Sequence, residues 1–143
     1  MTHFVLPAHP RFQDHHLLPL SLFRRRQIGA FLLEMGEYGL RLTSVTDNVQ
    51  RLPADEATAF ALGQAMHRGP HPHYNDLVAS RVERIRQHGG NGVQSAARLQ
   101  SLQRAMRRVL TSHGPRLIKL NQRDPMRCFA DYSYLDEALS RLL

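Results

Sequence analysis

Four histidines and one asparagine are the residues of this chain whose types and spacing are best suited to chemistry. His15 and His16 are adjacent, Asn48 follows in mid-chain, and His67 and His71 are four residues apart. Imidazole is the commonest neutral metal ligand in proteins, and a histidine with a pKa near neutrality can also act as a general base. Each histidine taken singly is more simply explained by a polar turn. The four together favour a small metal site.

The first elements that must position these residues can be predicted from the flanking sequence. Prolines on both sides of His15-His16 predict an extended segment with at most a short strand. The apolar spacing that follows predicts a helix, with Ser21 as its N-cap, Met35 near its end and Gly36 as its stop.

The middle of the chain is expected to contain a hairpin and two helices. Gly39–Val45 alternates apolar and polar residues and predicts a strand, which a turn joins to a second strand at Val49–Leu52. A helix should span Ala54–Met66. A glycine and two prolines then break it, so the two later histidines can converge only through a turn. The next helix is expected over Pro72–Gln87, because proline suits a first helical position.

The C-terminal part is expected to be mainly helical. Ser95 can cap an amphipathic helix, and a strand at Arg116–Leu120, a loop at Asn121–Arg127 and a helix at Tyr134–Leu142 should follow. The apolar stripe of the amphipathic helix is most simply core, and an interface of a helical partner-binding protein is the other interpretation. This stripe consists of Leu99, Leu102, Met106, Val109 and Leu110.

Composition limits the class of protein. The 143 residues suffice for one sizeable core, and we expect a single domain over residues 1–143. Nineteen basic residues, eighteen of them arginine, against twelve acidic ones give a net charge of +7, which favours a polyanionic partner such as nucleic acid. The single cysteine excludes an internal disulfide and a four-cysteine zinc site. No membrane span or signal peptide is recognisable, so we expect a soluble protein that is cytoplasmic in the cell that makes it.

Three blocks of the sequence resemble one nuclease family. Residues 12–19 (FQDHHLLP), 47–53 (DNVQRLP) and 66–75 (MHRGPHPHYN) resemble, in order and spacing, the three blocks of the AHH nucleases, a group of the HNH/endonuclease VII superfamily. The blocks span a little over half of the chain. Asp14 departs from the pattern, since the family name expects alanine before the histidine pair.

The resemblance implies a fold and a domain organisation. It implies an α+β protein that is mostly helical, with a small β-hairpin, in which a ββα-metal (His-Me) finger is embedded in helices. We expect the finger nuclease core at residues 12–88 and a C-terminal helical extension at residues 93–143.

The resemblance also implies a role for each residue of the candidate site. Phosphodiester hydrolysis requires an activated water, neutralised phosphate charge and a stabilised leaving group. His16 is the implied general base, and His15, His67 and His71 are the implied ligands of a divalent metal ion, Mg²⁺ or Zn²⁺. His67 and His71 are alternatively able to touch the scissile phosphate. Asn48 would orient the base or brace the loop.

Arginines are the natural partners of a nucleic-acid backbone. A nuclease without base specificity gains most of its affinity from phosphate contacts, and the guanidinium group forms paired hydrogen bonds with phosphate. The candidate nucleic-acid-binding residues are Arg24, Arg25, Arg26, Arg68, Arg81 and Arg84.

The expected function is a metal-dependent endonuclease, with DNA favoured over RNA as its substrate. The resemblance further implies a bacterial toxin or effector module, delivered into a target cell by a secretion apparatus and paired with a cognate immunity protein. The alternative is a basic nucleic-acid-binding module without catalysis, in which the histidines hold a structural metal or none.

Overall fold

Two short strands form the antiparallel sheet that carries the histidine pair. Strand β1 (Phe12–His16) pairs with β2 (Val49–Pro53), and the register aligns His15 with Gln50 and His16 with Val49. A two-stranded sheet of this length is only marginally stable alone, so the surrounding helices must cover it. The structure is a computed structural model that describes residues 5–111, 117–118, 120, 129–130, 137 and 139–140.

The predicted hairpin between Gly39–Val45 and Val49–Leu52 is wrong. The second strand forms as predicted, but its partner is β1, which lies far away in the sequence. Residues 39–44 contain no strand. Leu40 and Leu42 are buried in the core, so the alternation of apolar and polar residues reflects a loop that inserts two leucines between the helices.

Five α-helices surround the sheet in the part of the chain that the structure describes. Two 3-10 turns, Leu20–Arg24 and Gly36–Tyr38, flank the first of them. The helices are α1 (Arg26–Met35), α2 (Val45–Asn48), α3 (Glu56–Leu62), α4 (Pro72–His88) and α5 (Gly92–Thr111).

Two helices are shorter than predicted. The α1 helix begins after Arg25, not after Ser21, because the extended backbone of Arg25 (φ −83°, ψ 115°) separates it from the preceding 3-10 turn. The α3 helix ends at Gly63, whose left-handed conformation (φ 66°) stops it well before Met66. Asp55 caps its start by accepting a hydrogen bond from the Thr58 N–H.

The two longest helices differ in how well their starts were predicted. The α4 helix begins at Pro72, as predicted. The α5 helix begins earlier than Ser95, which is buried inside it. Asn91 is the cap, because its Oδ1 accepts from the Gln94 N–H (2.8 Å) while its own N–H donates to Gln94 Oε1 (3.1 Å).

The core lies between the sheet, α1, α4 and α5. The α5 stripe is confirmed as core over most of its length, with Val109 partly buried at its edge. The architecture is α+β and mostly helical, as predicted. Among the residues that the structure describes, no helix combines the length and hydropathy that a bilayer span requires. The largest fully buried side chains include Leu17, Leu18, Leu22, Leu32, Leu52, Tyr74, Leu99, Leu102, Met106 and Leu110.

Most of the C-terminal predictions lie outside the described residues. The loop at Asn121–Arg127 lies entirely outside them. Within the predicted strand at Arg116–Leu120, β3 (Leu117–Ile118) pairs in parallel with β4 (Phe129–Ala130). In the predicted terminal helix, the described residues are helical, namely Glu137, Leu139 and Ser140.

Candidate metal centre and active site

Three histidine side chains converge on one point beneath the sheet. The ring centroids of His15, His67 and His71 are 5.0, 5.1 and 5.0 Å apart. One ring nitrogen from each histidine lies within 4.8 Å of the other two. The structure therefore brings together the three residues that the sequence comparison singled out as metal ligands, and they could form a metal site.

Each histidine reaches the centre from a different element. His15 lies on β1 opposite Gln50. His67 follows α3, and its N–H donates to the carbonyl of Pro53 at the end of β2 (2.7 Å). His71 directly precedes α4. The sheet thus fixes two of the three ligands, and the start of α4 fixes the third.

The turn between His67 and His71 depends on Gly69. Its φ of 77° lies in the left-handed region, which a residue with a Cβ adopts at a cost of about 1 kcal/mol or more. The predicted turn is confirmed, and it brings two histidines to one side without a helix between them.

Buried nitrogen atoms of the centre lack hydrogen-bond partners among the described residues. His15 is 1% exposed, and both its Nδ1 and its Nε2 are unpaired; Nδ1 of His67 is unpaired as well. An unsatisfied buried polar atom costs about 1–3 kcal/mol, so such atoms need an explanation. A cation that accepts nitrogen lone pairs would supply one, so these residues fit a bound metal ion.

His71 already has a partner on the side away from the centre. Its Nδ1 lies 3.0 Å from Oδ1 of Asn75, one helical turn further along α4. An amide oxygen only accepts, so Nδ1 carries the proton and Nε2 keeps its lone pair for a metal. Partners of this kind orient a metal-binding histidine and fix its tautomer.

Burial keeps the three imidazoles in the form that binds metals. Burial lowers the pKa of His15 well below its usual value, and the neighbouring His67, His71 and His16 lower it further. Burial and the nearby His71 lower the pKa of His67 to about 4. Burial also lowers the pKa of His71, against the opposing effect of its hydrogen bond with Asn75. All three are neutral at pH 7, so no proton must leave before a metal binds.

His16 lies beside this centre rather than in it. It is half-buried at the end of β1, and it is close enough to His15 to lower the pKa of that residue. Its side chain retains access to solvent, which a general base needs in order to accept a proton from water.

Asn48 is buried and fully hydrogen-bonded away from the histidines. Its Oδ1 accepts from the Leu18 N–H (2.8 Å) and from Nε2 of Gln103 (3.1 Å). Its Nδ2 donates to the carbonyls of Leu18 (2.9 Å) and Leu42 (2.8 Å). All four hydrogen-bonding capacities of the amide are used, so Asn48 braces the chain that leaves the histidine pair. We call Asn48, Leu18, Leu42 and Gln103 the Asn48 cradle.

Tyr74 packs against the centre from α4. Its ring meets those of His15 and His71 edge-on, with centroids 4.6 and 5.4 Å away. It is fully buried, and its hydroxyl donates to the carbonyl of Leu17 (2.7 Å). Tyr74 therefore ties α4 to the segment that follows His16.

The six candidate arginines differ in their exposure and in their contacts. Arg24, Arg25, Arg26 and Arg84 are exposed, and Arg68 is half-buried next to His67. Arg25 forms a 2.6 Å ion pair with Asp76, which lies in the second turn of α4, five residues after His71. The sixth, Arg81, is only 9% exposed and donates to Oγ of Ser140 (2.8 Å), a position that argues against a phosphate contact.

Sequence reasoning missed two residues that support the site. Gln103 is buried and donates a hydrogen bond to Asn48. The sequence feature that could have indicated this was a polar residue beside Leu102 and Met106 of the apolar stripe. Asn75 orients His71, and its signal was the spacing of four residues across the start of α4.

Fold and site together define a small α+β protein with a buried three-histidine centre beside a fourth, accessible histidine. Residues 2–109 match a family model described as a nuclease family of the HNH/ENDO VII superfamily with conserved AHH. The chain belongs to this AHH nuclease family, which indicates nuclease activity. His15-His16 is the one adjacent histidine pair in the sequence, and Asp14 precedes it. No curated protein and no solved structure matches the chain.

Proposed function

We propose that this chain is a metal-dependent endonuclease that hydrolyses phosphodiester bonds, with DNA preferred to RNA. The observation that carries the proposal is the convergence of His15, His67 and His71, with unpaired buried nitrogens, directly beside His16. A structural zinc site would also bind three histidines, but it would not require a fourth histidine that remains accessible to water.

The ligand set favours a transition metal. The three groups are neutral imidazoles, which suit Zn²⁺ and related ions, whereas Mg²⁺ prefers oxygen ligands. Three protein ligands are typical of catalytic zinc sites, because a further position stays open for the reacting group. We therefore propose Zn²⁺ or a similar ion first and Mg²⁺ second.

Each residue of the candidate site has a separate role in the proposed reaction. His16 accepts the proton of the attacking water, and His15, His67 and His71 hold the cation. When bound, the cation would neutralise the scissile phosphate and stabilise the departing 3′ oxygen. Asn48 acts through the backbone after His16 and positions that residue. Residues 12–88 would form the catalytic core, with residues 93–143 as a helical extension.

The exposed arginines are proposed to hold the substrate backbone. Arg24, Arg25 and Arg26 lie before and at the start of α1, and Arg25 is paired with Asp76 of α4. Arg84 lies further along α4 and Arg68 lies within the His67–His71 turn. Arg68 directly follows His67, and the partner of Arg25 lies five residues after His71, so these two arginines are the first candidates for contacts to phosphates beside the scissile bond.

The test is cleavage of supercoiled plasmid DNA and of total RNA by the purified chain. EDTA, Mg²⁺, Mn²⁺ and Zn²⁺ are compared in parallel, with His16→Ala as the inactive variant and His88→Ala, an exposed histidine at the end of α4, as its control. We expect metal-dependent cutting that His88→Ala retains and that His16→Ala loses by at least about a hundredfold. Salt-dependent binding without cutting in any metal would favour the non-catalytic binding module instead.

The biological role that family membership suggests is a bacterial toxin or effector module. We propose that the chain acts in a target cell after delivery by a secretion apparatus and that a cognate immunity protein neutralises it. Induced expression in a bacterial cytoplasm should arrest growth, and His16→Ala should relieve the arrest at equal protein level. Growth arrest by His16→Ala at the same level would contradict a nuclease toxin.

A further inference from the structure

The exposed face of α5 carries a concentration of positive charge that the proposed active site does not use. We propose that Arg104 and Arg108 bind the phosphate backbone of the nucleic acid at a subsite away from the scissile bond. This inference rests on the proposed function for its substrate class, and the observations that support it concern α5 and the segments that α5 contacts.

The charge composition of α5 is unlike that of the other helices. Its twenty residues contain four arginines and no acidic residue, whereas α1, α2, α3 and α4 each contain at least one aspartate or glutamate. Like charges four residues apart, as at Arg104 and Arg108, destabilise an isolated helix. A cation in the last turn gains from the helix dipole, which can account for Arg108 but not for Arg104, further from the end.

Two of the four arginines of α5 are committed to the fold. Arg98 donates to the carbonyl of Gly89 (2.9 Å). Arg107 donates to the carbonyls of Thr46 (2.8 Å) and Val49 (3.1 Å) and to the side chain of Gln50. These hydrogen bonds reach segments outside α5, so the two guanidinium groups anchor the helix to the rest of the fold.

The other two arginines remain available. Arg104 is exposed and donates only to Oγ of Ser101 on its own helix (3.1 Å), and Arg108 is exposed without a hydrogen bond or ion pair to any described residue. A guanidinium that is already extended into solvent can form paired hydrogen bonds with a phosphate without first breaking a protein contact.

The surface around Arg104 is concave and polar. Arg104 separates a depression of 340 Å³, between α5 and α2, from one of 320 Å³ that Ser101 and Arg108 also line. The first contains Asp47, which repels a phosphate, whereas the second has no acidic lining residue. The geometry therefore places the phosphate on the Arg108 side of Arg104.

The helix that carries the subsite is hydrogen-bonded to the strand that pairs with the histidine pair. Arg107, which lies between the two free arginines, bonds to the carbonyl of Val49, and Val49 is the register partner of His16. Paired strand residues are about 5 Å apart. A nucleic-acid strand that passes His16 can therefore continue along α5, so these arginines would contribute to substrate affinity rather than to bond cleavage.

The test measures binding of fluorescent DNA and RNA duplexes of about 20 base pairs by the full chain in EDTA, at about 50 to 200 mM salt. The variant is the double substitution Arg104→Gln/Arg108→Gln. Its matched control is Arg11→Gln/Arg41→Gln, which removes the same charge from two exposed arginines outside α5. We expect the double variant to bind on the order of tenfold more weakly and its log K versus log salt slope to fall by about 2. The control should change the slope by less than about half of that.

Two further measurements exclude a merely structural role. The double variant should retain the thermal midpoint of the wild type, and Arg104→Lys/Arg108→Lys should restore most of the salt slope because the charges return. In steady-state cleavage the glutamine pair should raise KM and leave kcat within about twofold, as expected for uniform binding. An unchanged slope, an equal loss in the control, or a fall in kcat without a rise in KM would overturn the inference.

The outcomes separate this inference from the proposed function. If the wild type cleaves nucleic acid but its affinity does not depend on Arg104 and Arg108, only the inference is overturned. Binding that depends on both arginines, with no cleavage in any metal, supports the inference and overturns the proposed function.

Discussion

Two buried polar centres lie within a few residues of each other in this protein, and they are built in opposite ways. In the Asn48 cradle, the amide of Asn48 is fully buried and all four of its hydrogen-bonding capacities are used. In the histidine centre, His15 is equally buried, but both its ring nitrogens and one of His67 are unpaired among the described residues.

The difference separates a structural role from a functional one. A buried polar group with all its partners stabilises the fold and has no capacity left for a ligand. A buried polar group without partners lowers stability, and it persists where an external ligand completes it. Substitutions in the two centres should therefore change stability in opposite directions.

The largest expected effect is that of Asn48→Ala. The substitution leaves the Leu18 amide, two carbonyls and the Gln103 side chain without partners in the core, and the free energy of unfolding should fall by about 3–5 kcal/mol. Urea denaturation measures this loss. A loss below about 1 kcal/mol would show that the cradle is not the brace described above. Thr46→Ala, an exposed substitution in the same helix, is the control.

Acidification should destabilise the metal-free protein through the histidine centre. His67 titrates near 6.5 when unfolded and near 4 when folded, so between these values the unfolded chain binds more protons. The free energy of unfolding in EDTA should be insensitive to these histidines above pH 6.5. It should then fall by about 3 kcal/mol as the pH falls to 4, with His15 adding to the loss. Denaturation at a series of pH values tests this.

Removing the unpaired nitrogens should stabilise the metal-free protein. His15→Leu replaces a buried imidazole with an apolar side chain of similar size, so the free energy of unfolding in EDTA should rise by about 1–3 kcal/mol. The same variant should lose the stabilisation that added Zn²⁺ gives the wild type. Destabilisation by His15→Leu would mean that the imidazole has a partner and that the two centres are alike.

The smallest expected effect concerns the orientation of His71. Asn75→Ala removes the acceptor for its Nδ1 proton, so Zn²⁺ affinity, measured by competition with a chromogenic chelator, should fall by about tenfold or somewhat more. Asn75→Asp keeps an acceptor and should retain most of the affinity. An unchanged affinity in Asn75→Ala would show that His71 does not bind the metal through Nε2.

The parts of the fold that depend on short-range signals were predicted well. Proline at the start of α4 and the apolar stripe of α5 each fix a helix through interactions between near neighbours in the sequence. The histidine set was found from residue type and from the resemblance of three blocks to a known family. Helix starts at Ser21 and Ser95 were wrong, because a serine caps a helix only where its own backbone is non-helical, whereas Ser21 lies inside a 3-10 turn and Ser95 inside α5.

Predictions that required distant contacts were less successful, for one physical reason. Gly39–Val45 alternates apolar and polar residues as a strand does, and it was therefore predicted to pair with Val49–Leu52. The local pattern does not show which segment supplies the partner strand, and the partner of β2 is β1. Arg81 has the same local character as Arg84, yet it is buried and donates to Ser140, which is distant in the sequence.

The sequence by itself therefore determined which groups are available: neutral imidazoles in a fixed order, a glycine turn between two of them, and a surplus of arginine. Tertiary structure alone decided that His15 meets His67 and His71, that Asn48 bonds to Leu18 and Gln103, and that two of the four arginines on α5 form no hydrogen bond to a described residue outside that helix. Residue type sets what a side chain can bind. Whether it is buried, paired or exposed depends on segments far away in the chain, which only folding brings into contact.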